Sequence, residues 1–158
     1  MTTDNDKSLR DHLLSLIGGA NAHISFDDFI KDFPAEKCGE KIAGLPYTAW
    51  QVLEHMRIAQ WDILEFSRDA KHISPKWPEG YWPKRDEVGN AELWKRSADM
   101  FQSDLREVEN LIANSATDLF ARIPHGSGQT ILREALLVAD HNAYHLGVLV
   151  AINRMLKK

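Results

Sequence analysis

The sequence predicts an all-α protein: a four-helix bundle with one short additional helix and one long loop. Two observations carry that expectation. Four long segments repeat apolar residues at helical spacing, with capping or breaking residues at their ends. No segment alternates polar and apolar residues as a half-buried strand does. At 158 residues, residues 1–158 read most simply as a single domain, and 44% apolar content suffices for a sizeable core.

The first predicted helix runs from about Lys7 to Ile17, with Leu9, Leu13, Leu16 and Ile17 on one stripe. Gly18 and Gly19 stop it. Residues 20–46 are less regular. Phe26, Phe29, Ile30 and Phe33 fall at helical spacing and suggest a short helix over 26–33, after which Pro34, Gly39, Gly44 and Pro46 punctuate the chain. The second long helix is expected from Thr48 to Ser67. Thr48 and Gln51 have capping-box spacing, and Val52, Met56, Ala59, Ile63 and Phe66 form its core stripe. A loop at 69–89 follows, rich in proline and carrying Trp77, Tyr81 and Trp82. Loops this long in a compact domain are often functional. The third long helix is expected from Ala91, capped by Asn90, to about Asn114. Leu93, Trp94, Met100, Phe101, Leu105, Val108, Leu111 and Ile112 keep its period, and its charged face should meet solvent. The turn-rich stretch Pro124–Gly128 leads to the fourth, from about Thr130 to Leu156. Its apolar residues cover most of its circumference, as in a central helix.

Composition narrows the function classes. A formal net charge of -4, with no basic run longer than Lys157–Lys158, leaves no electrostatic footprint for nucleic acid. The single cysteine, Cys38, rules out an internal disulfide and fits a reducing compartment. The polar first residues show no apolar signal region, and Asp140, His141 and His145 interrupt the longest apolar runs. A soluble, cytoplasmic protein with no membrane partner is the expectation.

The run Asp140-His-Asn-Ala-Tyr-His-Leu-Gly147 carries the chemistry. On a helix, His141 and His145 share one face, one turn apart, with apolar neighbours above and below. His55 lies beside the core stripe of the second long helix. Burying three imidazoles is costly unless each ring nitrogen finds a partner, and one divalent ion supplies three partners at once. Three neutral imidazoles would make an open metal site. The plainer alternative has each ring bonded to a buried carbonyl or carboxylate. Asp62, two turns from His55, is the candidate for an imidazole-orienting group or a general base, with a plain salt bridge as its bland role. Glu134 reads more simply as a favourable helix-dipole placement. Tyr144 could donate a hydrogen bond to a substrate, and Trp77, Tyr81 and Trp82 could cover an apolar pocket or merely pin their loop. His12 and His72 look exposed, His125 looks like a turn residue, and His23 could approach the site.

Pro46-Tyr-Thr-Ala-Trp-Gln-Val-Leu-Glu-His55 and Asp140-His-Asn-Ala-Tyr-His-Leu-Gly147 together resemble the DinB-like superfamily of damage-inducible four-helix bundles, from about Leu9 to Met155. The resemblance implies an up-down-down-up bundle, often a homodimer. It places a divalent metal, zinc or nickel before iron or manganese, on His55, His141 and His145. Relatives include transferases and isomerases that use the low-molecular-weight thiols bacillithiol or mycothiol. Val148 stands where many relatives carry glutamine.

Three functions compete on this reading. The first is a metal-dependent thiol transferase or hydrolase acting on a small molecule through an open coordination position. The second is a non-catalytic metal-binding or stress-response bundle, closed by a fourth ligand such as His23 or Asp62. The third is a metal-free carrier of an apolar ligand lined by Trp77, Tyr81 and Trp82.

Overall fold

The computed structural model describes residues 3–19 and 21–157. Among them are five α-helices and no strand: α1 (Thr3–Ile17), α2 (Phe26–Asp32), α3 (Ala49–Arg68), α4 (Ala91–Ala113) and α5 (Ile131–Leu156). α3 packs against both α4 and α5, and α1 against the same two. The all-α expectation and the short extra helix are both met.

The ends of the helices follow their capping chemistry. The Thr48 hydroxyl accepts from the Gln51 amide N–H, and Gln51 Oε1 accepts from the Thr48 N–H, completing the capping box at α3. Asn90 and Thr130 cap α4 and α5 in the same way, each accepting a backbone N–H three residues on. Gly19 takes φ 72° after α1, the left-handed stop that glycine permits. α1 begins four residues earlier than its apolar stripe suggests. Asp4 and Asp6 sit in its first turn, where carboxylates complement the helix dipole. Asp6 also pairs with the buried Arg10, whose guanidinium donates to the carbonyls of Ile112, Asn114 and Thr117. Arg10 thereby serves carbonyls at the end of α4 that the helix cannot satisfy itself.

The core has two halves. Phe29, Phe33, Trp50, Leu53, Met56, Trp94, Phe101 and Leu149 are among the buried members of one. Leu13, Ile17, Leu64, Val108, Ile112, Leu119, Ile131 and Val138 are among those of the other. A polar contact lies between α3 and α5: Asn142 Nδ2 donates to Gln60 Oε1 (2.8 Å), and Gln60 Nε2 to the Phe101 carbonyl (2.7 Å).

Three expectations need correction. Leu16 in α1 and Met100 in α4, both counted in apolar stripes, are 50% and 37% exposed. α5 is not enclosed on all sides, because Leu136, Tyr144 and Met155 are exposed on it. Its three polar interruptions also do not shorten it as a hydrophobic element. By length and composition, Ile131–Leu156 would suffice to cross a bilayer, and here it packs along α1 and α3.

Candidate metal centre

α3 and α5 bring three imidazoles to one point. His55 is 3% exposed, and His141 and His145 are partly buried beside it. His55 Nε2 lies 3.1 Å from His141 Nε2 and 3.2 Å from His145 Nε2. The helical period accounts for the pair on α5, and the packing of α3 on α5 adds the third ring.

Protonation decides what such a cluster can do. His55 Nδ1 lies 2.8 Å from the Tyr81 carbonyl oxygen. A carbonyl only accepts, so Nδ1 carries the proton and Nε2 presents a bare lone pair. All three rings are held neutral. Burial lowers the His55 pKa. Burial, and then the repulsion a protonated His55 would exert, bring His141 to about 4, while burial and the like repulsion of His141 and His55 bring His145 to about 3. A single lone pair on His55 cannot accept good hydrogen bonds from two neighbouring rings at once. A cation shared by the three nitrogens removes that conflict. In a tetrahedral zinc site with Zn–N distances of about 2.05 Å, neighbouring nitrogens lie about 3.3 Å apart, close to the spacing here. The donor set therefore fits a divalent ion, and His55, His141 and His145 could hold one.

The surroundings are aromatic on one side. Trp82 stacks flat on His55, centroids 3.8 Å apart and planes 3° apart, and Tyr47 stacks on Trp82 at 4.2 Å. Tyr144 meets His145 edge-on at 4.9 Å and is 70% exposed, at the rim of the site. Beyond Tyr47 opens a cleft of about 480 Å³ whose walls include Lys41, Thr48, Gln51, Arg85 and Asp86.

The loop between α3 and α4 is held along α3 by polar contacts. Gln51 Nε2 donates to the Lys84 carbonyl (3.2 Å), and the Thr48 hydroxyl to that of Val88 (2.8 Å). Asp62 accepts from the Tyr81 hydroxyl (2.5 Å) and contacts His72 Nε2 (2.7 Å). Burial, then the Asp62 hydrogen bond, push the Tyr81 phenol up to about 12. Tyr81 and Trp82 thus reach the histidine site, whereas Trp77 is 70% exposed and meets only the edge of Tyr81 among aromatic partners.

Several expectations resolve at this point. Asp62 does not join the triad of His55, His141 and His145; it touches His72 and Tyr81. His72, expected at the surface, has a side chain only 8% exposed, because Asp62 draws it inward. His23 bonds the carbonyl of Ile24 and borders a separate cavity with Phe26, Met56 and Asn142. Neither proposed fourth ligand therefore reaches the triad. Glu134 is in the first turn of α5 as expected, but it is buried, paired with Arg133, and its pKa is raised by that burial. His125 is a turn residue, its ring against the Phe66 carbonyl.

The fold and this site define a helical bundle with a three-imidazole cluster between two of its long helices. The DinB superfamily model matches residues 24–149, and the chain belongs to that superfamily. No curated protein and no solved structure matches it.

Proposed function

We propose that the protein is a divalent-metal protein whose three-histidine centre serves a metal-dependent transferase or hydrolase reaction on a small molecule. The observation that carries this is the convergence of three neutral Nε2 atoms, with the Nδ1 proton of His55 committed to Tyr81. When bound, a zinc or nickel ion would supply Lewis-acid chemistry at an open coordination position. A low-molecular-weight thiol is the co-substrate this reading favours. The chain's own residues bind and shape. His55, His141 and His145 hold the ion, Trp82 excludes water from one side of His55, and Tyr144 at the rim is placed to meet a substrate. Tyr47, stacked on Trp82, also borders a cleft walled by Lys41, Arg85 and Asp86 that none of the three histidines lines. Asp62, first considered as a general base, is better placed as a support. The same reading takes the bundle as up-down-down-up, cytoplasmic and homodimeric.

Against the non-catalytic alternative stands the position of His23 and Asp62 away from the triad: among the described residues, the group that could hold an ion is His55, His141 and His145. Elemental analysis of untagged protein, purified without added metal, tests the proposal. About one ion per chain in wild type, lost in His55→Ala with helicity kept, is the expected result for such a site. Wild type that takes up no metal after reloading, with the fold intact, overturns it and moves the apolar-ligand carrier to the front.

A further inference from the structure

We infer that Asp62 is a positioning residue for the histidine centre, acting through Tyr81 to set the tautomer of His55. Asp62 lies seven residues beyond His55 on α3, about 10 Å along the helix axis. Tyr81 spans that distance. Its hydroxyl donates to Asp62 Oδ2, and its carbonyl receives the His55 Nδ1 proton. A buried carboxylate needs partners on both oxygens. Here His72 takes the second, and Trp61 packs edge-on against the His72 ring. Asp62 thus fixes one end of Tyr81, and the carbonyl at the other end is held opposite His55.

The next residue adds to the device. Trp82 lies flat on the same imidazole, so one anchored dipeptide sets both the proton position and the ring plane of His55. The other loop anchors, Gln51 and Thr48, hold Lys84, Arg85 and Val88. Tyr81 is held at its backbone N–H by the Pro78 carbonyl and at its hydroxyl by Asp62. Partners that orient a ligand imidazole commonly change metal affinity about 10–100-fold when removed.

The tautomer stands on this geometry alone, while its effect on metal affinity rests on the metal-centre reading above. The test uses ¹⁵N-histidine-labelled wild type, Asp62→Asn and Tyr81→Phe. Tyr81→Phe removes one hydroxyl and keeps the ring and the carbonyl, so it remains informative if Asp62→Asn folds poorly. Long-range ¹H–¹⁵N spectra of the metal-free proteins should show His55 with its proton on Nδ1 in wild type and a mixture of tautomers in the variants. Zinc affinity by chelator competition should fall about 10–100-fold in both, with one ion per chain retained. Unchanged His55 resonances in both variants overturn the inference. A shifted tautomer with unchanged affinity overturns the link to the metal. A tautomer shifted in the variants, together with a wild type that binds no zinc, supports the positioning role and overturns the metal centre instead.

Discussion

Zinc should stabilise the folded protein, and His145→Ala should remove most of that effect. The structure sets the expected size. His55 Nε2 already stands 3.1 and 3.2 Å from its two partners, near the spacing of about 3.3 Å that tetrahedral zinc requires, so binding needs little rearrangement. At free zinc about 100-fold above Kd, binding to the folded state alone adds about 2.7 kcal/mol. For a domain of this size that raises Tm by about 5–11 °C. If losing one of three ligands weakens binding about 100-fold, the same free zinc equals the variant's Kd and adds only about 0.4 kcal/mol. That corresponds to a shift of about 1 °C. Thermal melts followed by far-UV circular dichroism, with free zinc set by a chelator buffer, read both numbers. An equal rise in wild type and His145→Ala would place the ion elsewhere, and no rise in wild type would refute the preformed site.

Acid should destabilise the metal-free protein through the same rings. Burial lowers the His141 pKa from 6.5 to about 4, so its contribution is full above 6.5 and is lost as pH falls from there toward 4. Urea unfolding of wild type should therefore weaken more steeply between neutral pH and pH 5 than that of His141→Leu; equal slopes would mean that His141 is charged or solvated in the fold. Gly89→Ala should cost roughly 2–4 kcal/mol in urea unfolding, from left-handed backbone strain and overpacking together. Gly89 has φ +89°, and an added Cβ would meet Trp50 Cγ at 2.4 Å. Gln60→Ala should cost about 2–4 kcal/mol by the same measurement, because it opens a cavity and strips Asn142 Nδ2 of its acceptor.

The helices and the histidine triad were legible because both are local signals joined by one simple contact. Capping residues are read within three positions, and His141 and His145 are placed by the helical period. His55 needed only to face inward on its neighbour, and the packing of α3 on α5 did the rest. The supporting shell was not legible. Tyr81 serves the site with its backbone carbonyl, which no side-chain pattern reveals, and His72 is buried by a partner ten residues earlier that only the path of the loop brings near. Leu16 and Met100 were misplaced for a different reason. Periodicity identifies the side of a helix but not how far around it the neighbouring helices extend.

The polar contact between α3 and α5 bears on a problem that α5 poses. A helix apolar over so much of its circumference offers many nearly equivalent ways to lie against its neighbours. Sliding it by one turn, about 5.4 Å, would replace one aliphatic contact with another at modest cost. It would also part Asn142 from Gln60, strand buried amide groups, and carry His141 and His145 past His55. The amide pair thus works as an index mark on an otherwise smooth rod. The three imidazoles meet because the surrounding greasy surface is permitted only one alignment.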